Sequence, residues 1–480
     1  MLLSDLIDGY NLPGVEVSEL AFDSRRAGPG SLFFCVSGFQ QDGHDFAKAA
    51  VAQGSVALVT ERPLGLGVTE VVVDSVRSTM ADVAARFYGD PSATLEVVAI
   101  TGTNGKTTTA FLLHAILEAA GRSCGLLGTV KSLIGGVQRE ASLTTDEAIG
   151  LQADFAAMLA AGNVCCVMEA SSHALELHRC DSINLSAAIF TNLTQDHLDF
   201  HATMEGYFLA KRRLWELAPA VALANVDNPY GRRLADEFPQ TVTFALDAEA
   251  DFRATDIETD LQGSRFTVTK PDGVRLELGS PLPGRFNVAN VLASVATASS
   301  LGVSDETITK ALTEAGQVRG RLEVVDEGQD FTVLVDYAHT PDALESVLVA
   351  VREITSRRLI LALTGEGDRD RTKRPIMGEI ASRLADVVVV TSDNPRSEDP
   401  QAIVDEVMVG TGPNAEAIAD RREAIKAVIN AASPGDVVVI AGRGHEQWQK
   451  LADGAKVIFD DVTVAREMLV ARVGNKEGRS

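Results

Sequence analysis

The sequence predicts an α/β protein in three domains: a small N-terminal domain over residues 1–92, a central domain over 93–318 built on a P-loop ATPase-like parallel sheet, and a Rossmann-like C-terminal domain over 319–480. Three observations lead there. A chain of 480 residues is long enough for about three domains. The stretch 95–121, LEVVAITGTNGKTTTAFLLHAILEAAG, changes from an apolar run to a glycine-punctuated loop and then to a helical pattern. Residues 331–441 then alternate short β-branched runs with helical patterns, the signature of a doubly wound sheet.

Composition narrows the setting. The charge is −24, from 43 basic and 67 acidic residues, which argues against nucleic acid and leaves no polybasic membrane patch. A local basic pocket for a small anion remains compatible with that balance. The five cysteines show no metal spacing, and Cys165 and Cys166 sit inside an apolar run. A reduced, cytoplasmic setting is expected. The N-terminus carries Asp5 and Asp8 and no basic-then-apolar signal, and no apolar run reaches the ~18 residues of a membrane span.

In the first domain, strands are expected at 31–36, 56–59 and 70–73. Between them, FDSRRAGPGSLFFCVSGFQQDGHDF (22–46) holds two polar loops, and two surface turns are their plainer physical reading. Asp90-Pro91-Ser92 reads as a linker. In the central domain, 97–100 is a buried strand and 101–105 a tight loop. The helix from Lys106 is expected to bury Phe111, Leu112, Ala115, Ile116 and Ala119. Strand, glycine loop, Lys-Thr and helix form a phosphate cradle: amides and the positive helix end face the phosphates, Lys106 adds charge, and a threonine hydroxyl can hold Mg²⁺. Gly125–Thr129 reads as a turn, 152–161 as a helix, and strands 164–168 and 186–190 end in polar residues, among them Glu169 and His197. In a parallel sheet that edge binds ligands. A carboxylate and a histidine there can ligate a divalent metal. Lys211 lies on an amphipathic helix, where a lysine is ordinarily a solvated face residue. Strand-like runs follow at 221–225, 241–244, 263–269 and 274–278. Asn287 and Asn290 open a helix, as caps or as partners for a base.

In the third domain, strands 331–336, 358–364, 386–391 and 436–441 all end in polar or glycine residues, making a binding face. Arg369, Arg371, Arg396 and Arg443 stand at those exits, suited to carboxylates.

These residues resemble the Mur ligase family along the whole chain: TGTNGKTTT (101–109), MEASSH (168–173), TNLTQDHLDFH (191–201), FLAKRRLW around Lys211, GRFNVANVLAS (284–294), GRLE (320–323), DYAHTPDAL (336–344), DNPR (393–396) and GRGHE (442–446). The family makes amide bonds in cell-wall precursors with ATP. FDSR, DNPR and GRGHE are similar to the members that add the third amino acid to UDP-N-acetylmuramoyl-L-alanyl-D-glutamate.

The resemblance implies roles. Gly102, Thr103, Asn104, Gly105, Lys106, Thr107 and Thr108 would hold the ATP phosphates, Asn287 would reach the adenine, and Arg319, Asp336 and His339 would approach ATP. Thr107, Glu169, His197 and a carbamylated Lys211 would hold Mg²⁺. Phe22, Ser24, Phe39, Gln40 and Gln41 would line a uridine pocket, and Thr144, Thr145, Ser171 and Arg179 would bind the muramoyl dipeptide. Arg369, Asp393, Asn394, Arg396, Gly442 and Glu446 would bind the incoming diamino acid. DNPR is typical of members taking meso-diaminopimelate, whose distal carboxylate Arg396 can pair with; L-lysine is the alternative. Leu143 and Leu177 stand where some members carry Asn and Gln, Asp146 where proline is frequent, and GEGDRD is less glycine-rich than the GCGGDRD of many members. A monomer is expected, with neither nucleic acid nor membrane as partner.

Overall fold

A computed structural model describes residues 1–10, 12–38, 41–139 and 143–477. The chain forms two compact units, Met1–Thr101 with Gly121–Phe190 and Leu209–Ala222, and Gly102–Ala120 with Thr191–Phe208 and Leu223–Ser480.

In the first unit, strands Glu19–Ala21, Ser31–Phe34, Ala57–Thr60 and Thr69–Val72 lie side by side in chain order, all parallel. Leu32, Phe34, Val59 and Val71 bury one face of this sheet with Met80 and Val83 of helix Val76–Phe87. A second run of strands is ordered Leu185–Phe190, Glu96–Thr101, Cys165–Glu169, Cys124–Leu127, again parallel. Cys124–Leu127 is thus a buried strand, where the sequence reads as a turn. Its glycine is needed for packing: a Cβ on Gly125 would meet Met158 Sδ at 2.3 Å. Ser132–Ile134 and Val137–Arg139 extend this sheet as an antiparallel hairpin.

In the second unit, helix Lys106–Ala119 packs on helix Arg285–Ser300. Its buried residues are Thr107–Ala110, Leu112, Leu113, Ile116 and Leu117, while Ala119 is exposed. The buried stripe is therefore rotated from the expected one. Its hydroxyl-bearing first turn is buried too, which an apolar-periodicity count does not register. Strands Phe252–Asp260, Gly263–Thr269 and Arg275–Ser280 form an antiparallel meander. Phe252–Asp260 went unnoticed in the sequence because its alternate residues are charged.

A six-stranded sheet completes the unit, in the order Glu323–Val324, Thr332–Asp336, Val437–Ala441, Leu359–Gly365, Val387–Ser392, Ala415–Ala417, parallel except for the first strand. Leu334, Leu361, Leu363, Val388, Val390 and Val439 bury one face; Val333, Val335, Ile360, Ala362, Val389 and Val438 bury the other. Helices cover both faces, and for that reason these strands read as unbroken apolar runs. Strand Val437–Ala441 inserts between Thr332–Asp336 and Leu359–Gly365, which follow one another in the chain, and this puts the topological switch point at the C-terminal ends of those three. Among the described residues no helix is long and apolar enough to cross a membrane.

Candidate functional site

In the second unit the glycine loop is held from several sides. Gly102 (φ +149°) and Gly105 (φ +87°) adopt backbone that L side chains rarely take. A Cβ would stand 1.9 Å from Thr191 Oγ1 at the first and 2.2 Å from Asn290 Oδ1 at the second. Thr103 N and Asn104 N donate to Asn192 O and Asn192 Oδ1, each at 2.9 Å. Lys106 Nζ donates to Gly102 O and Thr103 O at 2.9 Å, folding back over the loop. The positive end of helix Lys106–Ala119 then faces whatever the loop encloses.

Three residues beyond the glycine motif join it. Arg321 Nη2 donates to Thr107 Oγ1 at 3.1 Å, and the guanidinium lies 4.7 Å from the Tyr337 ring centroid. Asp342 Oδ2 accepts from Asn104 Nδ2 at 2.7 Å and Thr194 Oγ1 at 3.1 Å; burial pushes its pKa up. Tyr207 places its hydroxyl 3.2 Å from Thr103 Oγ1 and its ring edge-on to His197, with centroids 6.2 Å apart. His197 therefore stands next to the loop. It has φ +53°, and its Nε2 lies 3.3 Å from Asp196 Oδ2. Burial raises the Asp196 pKa, but His197 beside it, with His339 and Lys373, outweighs this and holds it below the usual range.

Asp336 accepts from Leu322 N and Ala338 N at 2.8 Å, one at each carboxylate oxygen, and so pins the segment that carries Arg321. His339 Nδ1 donates to Tyr337 O at 2.8 Å, which leaves the lone pair on Nε2. Desolvation and Lys373 lower its pKa, so the ring is neutral at neutral pH. Arg319 is exposed and pairs with Asp460. Asn287 and Asn290 are buried and bond inward: Asn287 Nδ2 donates to Pro283 O at 2.8 Å, and Asn290 Nδ2 to Asn287 Oδ1 at 3.2 Å. Neither caps the helix, whose N-cap is Gly284.

At the C-terminal sheet edge, Arg443 is fully buried and spent on its own fold, donating to Asp393 Oδ1 at 2.9 Å, Asn394 Oδ1 at 3.1 Å and Trp448 O at 2.9 Å. Arg371 pairs with Glu406. Neither is the ready carboxylate binder that its strand-end position implied, and Arg396 and Arg369 both stand beside Glu366. Asn394 Nδ2 donates to Glu446 Oε2 at 2.8 Å. Burial raises the pKa of Asp393 and of Glu446, against the pull of Arg443. Gly442 (φ +115°) lies against Thr364, where a Cβ would come within 2.0 Å of Cγ2.

In the first unit, Glu169 ends its strand level with Ile100, and Phe190 ends its strand level with Thr101. Glu169 is buried; its Oε1 accepts from Thr129 N at 2.9 Å and its Oε2 from Thr129 Oγ1 at 3.0 Å. Thr129 Oγ1 is 3.1 Å from Thr144 Oγ1, Thr145 Oγ1 donates to Glu169 O at 2.8 Å, and Ser171 N donates to Thr145 Oγ1 at 3.1 Å. Arg179 donates to Thr145 O at 3.0 Å and pairs with Glu147 at 2.7 Å. The four residues expected at the dipeptide are thus joined with Glu169 in one network. A cavity of about 200 Å³ opens beside it, lined by Gly128, Thr144, Met168 and Glu169 among others. Lys211 is 1% exposed, not on a solvated face. Ser24 opens a short 3₁₀ turn capped by Asp23, Phe22 is partly buried, and Gln41 O accepts from Gly38 N at 2.9 Å. Phe39 and Gln40 lie outside the described residues. Of the four expected catalytic groups, Lys106 and His197 belong to the second unit and Glu169 and Lys211 to the first.

Three family models match this chain: the Mur ligase family catalytic domain over residues 16–88, the Mur ligase middle domain over 100–298, and the Mur ligase glutamate ligase domain over 320–444. The chain belongs to the Mur ligase family. Among Mur ligases, it is 44% identical over 473 residues to the UDP-N-acetylmuramoyl-L-alanyl-D-glutamate–2,6-diaminopimelate ligase of Syntrophomonas wolfei, covering 95% of this chain and 96% of that protein. The protein of the same name from Geobacillus thermodenitrificans is 44% identical over 469 residues, with coverage of 95% and 96%. A solved structure of a UDP-N-acetylmuramoyl-L-alanyl-D-glutamate–2,6-diaminopimelate ligase superposes with a TM-score of 0.71 at 32% identity, covering 98% of this chain and 99% of that one.

Sequence reasoning passed over Arg321, Tyr207, Asp342, Thr129 and Glu147. Two of them had a local signal: Arg321 is the arginine inside GRLE, two residues after Arg319, and Asp342 lies inside DYAHTPDAL. The others are recognisable only by what they touch.

Proposed function

We propose that this Mur ligase is an ATP-dependent amide ligase that joins meso-diaminopimelate to the γ-carboxylate of D-glutamate in UDP-N-acetylmuramoyl-L-alanyl-D-glutamate, in cell-wall precursor synthesis. The observation that carries the reading is the loop Gly102–Thr107, with glycine geometry that admits no side chain and Lys106 and Arg321 converging on it. The strong likeness to ligases named for diaminopimelate supports that amino acid over L-lysine.

The reaction has two steps. The carboxylate attacks the γ-phosphate of ATP, giving an acyl phosphate and ADP; the amine then attacks the acyl carbon and phosphate leaves. Lys106 and Arg321 offset charge on the transferring group. Mg²⁺ prefers oxygen ligands, mostly water and phosphate plus one or two carboxylates, so an imidazole would be a minority donor in its shell. Glu169 fits that demand as a buried carboxylate at the end of its strand. His197 and Thr107 are the other proposed ligands, and the metal would supply charge neutralisation at the phosphates. Lys211 is proposed to be carbamylated. Its enclosure, 1% exposed on an amphipathic helix, supports a role other than that of a solvated surface lysine. Thr144, Thr145, Ser171 and Arg179 are assigned to the dipeptide, Phe22, Ser24, Phe39, Gln40 and Gln41 to the uridine, and Asn287, Asp336 and His339 to ATP. Asp393, Asn394, Arg396, Arg369, Gly442 and Glu446 are assigned to the diamino acid. Domain limits of 1–92, 93–318 and 319–480, a monomeric state and a cytoplasmic location belong to the same proposal.

The test is phosphate release from ATP with UDP-linked dipeptide present, compared with and without each diamino acid. Release that requires both substrates and favours diaminopimelate is expected. ATP hydrolysis independent of the UDP-linked acceptor refutes the ligase reading, and a clear lysine preference refutes the choice of amino acid.

A further inference from the structure

Arg396 does not meet the edge of the sheet alone. Glu366 follows strand Leu359–Gly365 directly, and its carboxylate pairs with the Arg396 guanidinium. Its Oε2 also lies 3.7 Å from Arg369 Nε. The Glu366 and Arg396 side chains are 15% and 20% exposed, so the pair is largely enclosed yet open on one side.

The loop carrying Glu366 is fixed rather than draped. Arg396 Nη1 donates to Gly367 O at 2.7 Å, and Gly367 N donates to Asn394 O at 2.9 Å. A Cβ on Gly367 would stand 1.9 Å from Pro395 O, so the two loops meet backbone to backbone. From below, the buried Arg374 donates to Glu366 O at 2.8 Å while pairing with Glu398 and Glu406 at 2.8 and 2.7 Å. Glu366 is also close enough to Asp393 and Glu446 to add to the upward push on their pKa values. The Glu366–Arg396 pair therefore stands within electrostatic reach of two further carboxylates, while Arg443 is already consumed by Asp393 and Asn394.

The far end of diaminopimelate is an α-amino acid, with an ammonium and a carboxylate on one carbon. A guanidinium–carboxylate pair is its electrostatic complement: the guanidinium takes the carboxylate, the carboxylate takes the ammonium, and no net charge is buried. We propose that Glu366 is a specificity-determining residue that binds the distal ammonium of the incoming diamino acid, opposite Arg396, which binds the distal carboxylate. This rests on the ligase reading above. An arginine by itself would attract a distal carboxylate but repel a distal ammonium; the pair accepts both, and it discriminates against a substrate that lacks the ammonium.

The test compares meso-diaminopimelate with 2-aminopimelate, which has the distal carboxylate and no distal amine, in amino-acid-dependent phosphate release. Any competition between Glu366 and substrate for Arg396 acts equally on both compounds and cancels in the ratio of their kcat/KM values. The wild-type ratio is expected to favour diaminopimelate roughly 10- to 100-fold, the value of a charge-assisted hydrogen bond to an enclosed group. In Glu366→Gln, which keeps shape and removes charge, the ratio is expected to fall to within about threefold of one. L-Lysine turnover, which also presents a distal ammonium, is expected to fall in the same variant. An unchanged ratio in Glu366→Gln overturns the assignment, and so does a wild-type protein that uses both compounds equally well, which needs no variant at all. Turnover of diaminopimelate with no change in the ratio removes Glu366 alone, whereas absence of amino-acid-dependent release with all three compounds in the wild type removes the ligase reading and this assignment together.

Discussion

Two arginines two residues apart, Arg319 and Arg321, differ sharply in what their loss is expected to do. Arg321 gives a charged hydrogen bond to Thr107 Oγ1 at 3.1 Å and stacks at 4.7 Å on Tyr337. A hydrogen bond involving a charged partner contributes about 1.5–3 kcal/mol. A partly desolvated cation–π contact adds about 0.5–1 kcal/mol. If both act on bound ATP and its transferring phosphate, Arg321→Ala lowers kcat/KM for ATP by roughly 30- to 1,000-fold, for about 2–4 kcal/mol in all. Arg319 is exposed and its partner is Asp460. A surface pair contributes about 0–1 kcal/mol, so Arg319→Ala changes the same constant by less than about fivefold. The assay is phosphate release at saturating dipeptide and diamino acid with ATP varied, beside a thermal melt that separates lost chemistry from lost fold. Arg321→Lys keeps the charge without the planar fork and is expected to fall between wild type and Arg321→Ala. Should Arg319→Ala cost as much as Arg321→Ala, the placement of Arg321 against the loop is refuted.

Four further outcomes follow from the same geometry. Gly105→Ala puts a Cβ at φ +87° and 2.2 Å from Asn290 Oδ1; the backbone alone costs about 1–2 kcal/mol, and a raised KM for ATP with a lower melting temperature is expected. Lys211→Ala is expected to abolish most turnover while the melt shows the protein still folded, and a short carboxylate such as acetate is expected to restore part of the rate; full activity in the variant takes Lys211 out of the mechanism. Arg396→Ala is expected to raise the KM for diaminopimelate about tenfold, the low end for a charged pair because Glu366 already occupies the guanidinium; an unchanged KM counts against its role. Bonded to Arg374, the Glu398 carboxyl is lowered from 4.5 to about 2. Because the folded value is the lower one, the stability from this pair is complete above about pH 4.5 and is lost as pH falls toward 2. Glu398→Gln is expected to lower the melting temperature at neutral pH and flatten its decline across that window, and an unaltered acid profile would falsify the assignment.

Local pattern carried much of the fold. The strand at Glu96–Thr101, the loop and the helix from Lys106 could be read because backbone propensity and glycine placement act over a few residues. The strands of the six-stranded sheet were equally plain, since burial on both faces leaves unbroken apolar runs. The reading failed where burial and chemistry diverge. Cys124–Leu127 passed for a turn because its Gly125 serves contact with Met158, and Phe252–Asp260 was hidden by the charges on its open face.

The sequence by itself determined where chemistry-bearing side chains leave their strands, because strand ends and glycine turns are short-range features. It also determined the order of motifs that marks the family. Tertiary structure alone decided how each charge is used. Arg443 is a buried strut and Arg396 is paired with Glu366; Arg321 rather than Arg319 touches Thr107; Lys211 is enclosed. The physical reason is that a side chain's role depends on its desolvation and on the partner within about 3 Å, and those partners come from chain positions tens to hundreds of residues away, as 107 and 321 do.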